Sequence, residues 1–165
     1  MKLRYVVLLA LINFILSSTL FQIFRINDTL PNLVIVFSVV LLALTSERDA
    51  YVFAAISGAL QDVFLGRMLS INLILYIAVV YLASRLIVVL FKGNYITPVF
   101  LIAGCTLFYH ATFYLIVFFF QATVPLSLIY HKILTEIIYN SVLGMLIYSR
   151  IFKWVYGYKL GDYNA

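Results

Sequence analysis

Apolar residues in this chain fall into long blocks, and the blocks are separated by short polar or charged stops. A helix that crosses a bilayer needs about 20 mostly apolar residues. Six blocks approach that length, over residues 5–24, 30–46, 47–66, 69–91, 98–120 and 132–152. No soluble domain, long linker, low-complexity segment or clear internal repeat is left over. The pattern predicts an all-α integral membrane protein, a single bundle of about six transmembrane helices filling residues 1–165.

The stops carry helix-end signals. Pro31 suits the first turn of the second helix. Ser46-Glu47-Arg48-Asp49 joins the second and third, with Ser46 and Asp49 at capping-box spacing. The second and third blocks lack long uninterrupted apolar cores, so a re-entrant hairpin is the alternative to two crossings. Leaving three charges at that turn inside the bilayer would cost roughly 2.5–3.5 kcal/mol each, which favours full crossings with the turn in water. Gly93 or Asn94 can cap the fourth helix, and Thr97-Pro98 opens the fifth. Gln121 to Tyr130 reads as the longest loop, apolar enough to lie along a membrane surface. The tail from Lys153 reads as an anchor for the last helix.

Composition agrees with a lipid solvent. Hydrophobic residues make up 65% of the 165 and charged residues 10%, against about 45–50% and about 25% in soluble domains. The net charge of +5 comes from residues at the ends of apolar blocks, so it indicates topology and not nucleic-acid binding. With the N-terminus inside, eight basic residues are cytoplasmic (Lys2, Arg4, Arg48, Arg85, Lys92, Arg150, Lys153 and Lys159) and three are outside (Arg25, Arg67 and Lys132). The excess places both termini in the cytoplasm. Tyr5, Tyr51, Tyr95, Tyr130, Trp154, Tyr156 and Tyr158 suit interfacial belts. Lys2 and Arg4 before an apolar run resemble a signal peptide, but the run is long enough to span and is read as a retained first helix. Cys105, the only cysteine, excludes an internal disulfide and a zinc motif and reads as a packing residue.

Ionisable groups at membrane depth are costly and usually face the bundle interior. Gly58, Asp62 and Gly66 recur every four residues on the third helix, as do Glu136, Asn140 and Gly144 on the last. Small residues allow close helix approach and the polar groups beside them can bond across. Asn13 with Ser17 and Asn72 with Tyr76 form comparable stripes, so a polar seam is expected, richest toward the outer end. One reading is structural: Asp62 and Glu136 pair with Arg67, Lys132 or backbone donors. The other is a site for a partner helix or ligand head group. A groove near Asp62 and Glu136 could also contact a membrane lipid, if Arg67 or Lys132 outweighs the carboxylates. Catalysis finds little support: no protease motif surrounds the two carboxylates, and His110 has neither a nucleophile elbow nor an obvious orienting carboxylate. His110 reads as a hydrogen-bonded core residue. No phosphate loop or metal cluster is evident, and no cofactor is expected.

Several of these residues carry a resemblance. Ser18-Thr19-Leu20-Phe21-Gln22, Pro31-Asn32-Leu33, Gly58-Ala59-Leu60-Gln61-Asp62 followed by Gly66 and Asn72, and Glu136-Ile137-Ile138-Tyr139-Asn140 stand in the order and spacing of MreD. The chain resembles this family of bacterial rod shape-determining membrane proteins. It departs at Thr135, where many relatives have proline, and at Arg67, where small or polar residues are common. The resemblance implies a non-enzymatic scaffold of the cell-wall elongation machinery in the inner membrane. It implies direct association with MreC, in a wider complex with MreB, RodA and a penicillin-binding transpeptidase. The family is also similar in helix arrangement to the substrate-binding subunits of energy-coupling-factor transporters. The alternative function is therefore a small-molecule-binding subunit of a vitamin-type transporter.

Overall fold

The computed structural model describes residues 2–26, 29–64, 71–90, 97–120 and 126–161. They form six long helices and one short one: α1 (Leu3–Ser18), α2 (Leu20–Ile23), α3 (Leu33–Leu44), α4 (Glu47–Phe64), α5 (Ile71–Leu90), α6 (Thr97–Phe119) and α7 (Leu126–Gly161). No β-strand occurs among the described residues; Ile26 and Thr29 make only an isolated bridge.

Local chemistry explains where the helices differ from expectation. The first does not run to residue 24 but breaks after Ser18. There Ser18 Oγ donates to the Phe14 carbonyl at 2.8 Å and Thr19 Oγ1 to that of Ile15 at 2.6 Å. Hydroxyls that bond back onto the preceding turn compete with continued helix. Thr45 does the same to Leu41 at 2.7 Å, where α3 stops. Pro31 lies before the helix rather than in its first turn; Asn32 is the N-cap, accepting from Ile35 N at 3.4 Å. Ser46 caps α4, its Oγ accepting from Asp49 N at 3.2 Å, and Glu47 and Asp49 put negative charge where the helix dipole favours it. The expected surface loop is helical from Leu126, and the last helix continues past residue 152 to Gly161.

Helix α3 is the axis of the bundle. It packs against α4, α5, α6 and α7, while α1 lies mainly on α4. Val34, Ile35, Val36 and Val39 on α3 are wholly enclosed, with Phe53 and Ala54 of α4 and Leu75 and Val79 of α5. At 12 residues, α3 is about 18 Å long, too short to cross a hydrocarbon core of about 30 Å unaided. Its polar ends must therefore be met by protein groups.

The outside of the bundle is apolar. Leu8, Leu11 and Ile15 on α1, Ile74 on α5, Phe100 and Leu107 on α6, and Val142 and Met145 on α7 all face outward. Val88 is 82% exposed, Phe118 76% and Ile138 64%. An exposed apolar surface this extensive is incompatible with water as the only solvent. Among the described residues, Ile71–Val88 and Thr97–Phe119 are long and apolar enough to cross a membrane.

Candidate functional site: a polar cavity at one end of the bundle

The N-termini of α3 and α5 meet at one end of the bundle, beside the ends of α1, α4 and α6. The first N–H groups of any helix lack intrahelical acceptors. In an apolar solvent they must find protein partners. Asp62, near the end of α4, accepts from Asn72 N through Oδ1 at 3.0 Å and from Leu73 N through Oδ2 at 2.9 Å. Gly58, one turn earlier, makes this reach possible. A Cβ there would stand 2.6 Å from Leu73 Cα and 2.9 Å from Leu73 N, so α5 starts directly against the α4 backbone. At α3, Asn140 Oδ1 accepts from Asn32 N at 2.8 Å.

Helices α6 and α7 supply a second framework, a ladder in antiparallel register. Gly144 faces Ile102, whose Cδ1 a Cβ on the glycine would strike. One turn on, Asn140 Nδ2 donates to Thr106 Oγ1 at 3.0 Å. One turn further, Glu136 Oε2 lies 2.8 Å from His110 Nε2, with both side chains 6% exposed. The ring N–H is not aligned with the oxygen, so this contact is an ion pair when His110 is protonated rather than a directed hydrogen bond.

Aromatic rings join the two frameworks. Tyr76 of α5 stacks on Tyr109 of α6 at 5.1 Å between centroids. Tyr109 donates to Asn72 Oδ1 at 2.6 Å. Tyr76 OH receives Asn32 Nδ2 at 3.0 Å and donates to Gln61 Oε1 at 2.8 Å. Above them lies a cavity of about 510 Å³. Tyr76, Tyr109, Phe113 and Tyr114 form one side; Asn32 and Gln61 contribute amides. His110, Glu136 and Lys132 line it from α6 and α7, and Ser17, Gln22 and Arg25 from the end of α1 and beyond.

The structure thus brings Gly58 and Asp62 to the α5 start, and Glu136, Asn140 and Gly144 to the α6 ladder. The two groups meet through Asn32, which links Asn140 to Tyr76. Gly66 and Arg67 lie outside the described residues. The partner of Glu136 is His110, not Lys132, so His110 does have a carboxylate beside it, contrary to the sequence reading. Asn72 and Tyr76 share the site, but Asn13 does not: it is wholly buried and its amide has no hydrogen-bond partner among the described residues. Thr106, Tyr109 and Tyr114 escaped the sequence reading. Thr106 and Tyr114 stand four residues either side of His110, which was the available signal.

An all-helical bundle that is apolar outside and gathers its polar groups inside, at one end, is a helical membrane protein. The family model described as rod shape-determining protein MreD matches residues 1–156, and the chain belongs to that family. No curated protein and no solved structure matches it.

Proposed function

We propose that the protein is a non-enzymatic scaffold of the machinery that sets rod cell shape, and that it binds MreC directly. Membership of the MreD family carries this reading. In the scaffold, all six long helices cross the inner membrane with both termini cytoplasmic. The eight-to-three distribution of basic residues supports the orientation. With both termini cytoplasmic, the polar cavity is at the periplasmic end. At 36 residues, α7 is about 54 Å long, more than a bilayer with its head groups, so its end stands in water. The side chains around the cavity act chiefly on one another and on helix ends, which suits a rigid platform better than a reaction centre. Nothing among the described residues favours the transporter-subunit alternative.

The experiment is recovery of a tagged copy from native membranes. MreC is expected in the purified complex, and MreB, RodA and a penicillin-binding transpeptidase in milder extracts. Recovery of an ATP-hydrolysing module in place of MreC overturns the scaffold. Reporter fusions after residues 46 and 161 should both read cytoplasmic.

A further inference from the structure

The cavity described above, about 510 Å³, is within the size range of ligand sites, about 300–1,000 Å³. Arg25, in its wall, already donates to Gln22 Oε1 at 2.7 Å; Lys132 has no partner among the described residues, and the carboxylate in the wall is Glu136. That carboxylate already faces His110 at 2.8 Å. Asp62 is engaged by two backbone N–H groups and is not part of the wall. The polar groups are also biased toward donation. Gln61 uses its carbonyl oxygen to accept from Tyr76, so what it has to offer the cavity is an N–H2 group. Lys132 can only donate. Such a wall selects an anionic group with several acceptor oxygens.

The surroundings say what kind of anion. Phe24, Phe118, Tyr130 and Leu134, each close in sequence to a lining residue, are all exposed. These are apolar side chains on the lipid-facing side of a membrane protein. A freely soluble anion would gain nothing from them, whereas an amphiphile would lay its tails there.

We propose that this cavity holds the phosphate-bearing head group of an anionic membrane lipid, with its acyl chains over the apolar rim. Lys132 neutralises the phosphate and Gln61 donates to it. Tyr114, on α6 at the same end of the ladder as Lys132, forms the aromatic side wall. The site does not depend on the MreC reading and can stand or fall without it.

The test is native mass spectrometry of the purified full chain in neutral detergent. The probes are dioctanoyl phosphatidylglycerol, dioctanoyl phosphatidylcholine and inorganic phosphate. The expected result is one phosphatidylglycerol per chain, bound at least about tenfold more tightly than phosphatidylcholine and not displaced by inorganic phosphate. Lys132→Gln should weaken phosphatidylglycerol about tenfold, while Arg150→Gln, far along α7, leaves it unchanged. If Lys132→Gln does not fold, Gln61→Glu decides: it keeps the acceptor for Tyr76 but puts negative charge in the wall, and should abolish binding. Equal affinity for the two lipids overturns the proposal, as does indifference to both lining substitutions. Displacement by inorganic phosphate at equal concentration overturns the assignment to a lipid.

Discussion

Glu136 of α7 sets a carboxylate oxygen 2.8 Å from Nε2 of His110 of α6, one turn beyond the bond between Asn140 and Thr106. Both side chains are 6% exposed, so little water can replace either partner. Removing one member leaves a buried group without its partner and costs about 1–3 kcal/mol, or about 3–5 kcal/mol where the group left behind is charged. Replacing both with apolar residues removes that penalty. Glu136→Leu and His110→Leu should each lower the thermal midpoint of the purified protein strongly, and the double variant should recover much of the loss. A double variant as unstable as the sum of the singles would show that the two side chains do not act on each other.

Asp62 tests a different idea, that a carboxylate on one helix serves as the N-terminal cap of the next. Asp62→Ala leaves the N–H groups of Asn72 and Leu73 without an acceptor. Each unpaired donor costs about 1–3 kcal/mol. Asp62→Asn retains one oxygen, so its loss should be roughly half as large. Hydrogen exchange at the start of α5 is the specific readout: faster exchange at Asn72 and Leu73 is expected, with α6 and α7 unaffected. Uniform loss of protection throughout the bundle would assign Asp62 a global role instead.

These relationships were partly visible in the chain. The four-residue spacing of Glu136, Asn140 and Gly144 marks one helix face, and the structure uses that face as a ladder against Ile102, Thr106 and His110. The spacing of Gly58 and Asp62 likewise marks a face. The spacing leaves open whether Asp62 meets a cation or backbone donors; the structure has it accepting from Asn72 N and Leu73 N, because α5 starts directly beside it, a placement no local pattern encodes. A helix end set by hydroxyls was missed for a different reason. Ser18 and Thr19 sit in a run apolar enough to look continuous, and only the back-bonds to Phe14 and Ile15 show where α1 stops. The cavity draws its lining from every helix of the bundle and from the stretch before α3, which no single-segment pattern encodes.

Two glycines that look alike in sequence should respond differently to an added methyl group. At Gly58 the obstacle is the backbone of Leu73, which cannot move without shifting the start of α5. At Gly144 the nearest atom is Cδ1 of Ile102, the end of a flexible side chain. Overpacking of this kind costs typically about 1–3 kcal/mol. Gly58→Ala should fall at or above the top of that range and Gly144→Ala near the bottom. Ile102→Val, which removes Cδ1, should rescue Gly144→Ala, whereas no side-chain change at residue 73 should rescue Gly58→Ala. Thermal midpoints of the four single variants (with Leu73→Ala) and the two double variants decide the matter.

Asn13 offers the opposite case, a position where the natural residue works against stability. It is wholly enclosed on α1, and neither its amide nitrogen nor its amide oxygen has a hydrogen-bond partner among the described residues. Phe14, its neighbour, packs its ring 5.5 Å from that of Phe64 on α4, so α1 is held there by apolar contact. A buried polar group left unpaired costs about 1–3 kcal/mol. Asn13→Leu keeps the branched shape and removes both polar atoms, so it should raise the thermal midpoint of the isolated protein. The same substitution serves as a control on the cavity, since Asn13 does not line it. Phosphatidylglycerol binding should therefore be unchanged in a chain that has become more stable. A fall in the midpoint would mean that Asn13 is bonded in the folded protein, and its stabilising partner would then have to be sought along the α1–α4 contact.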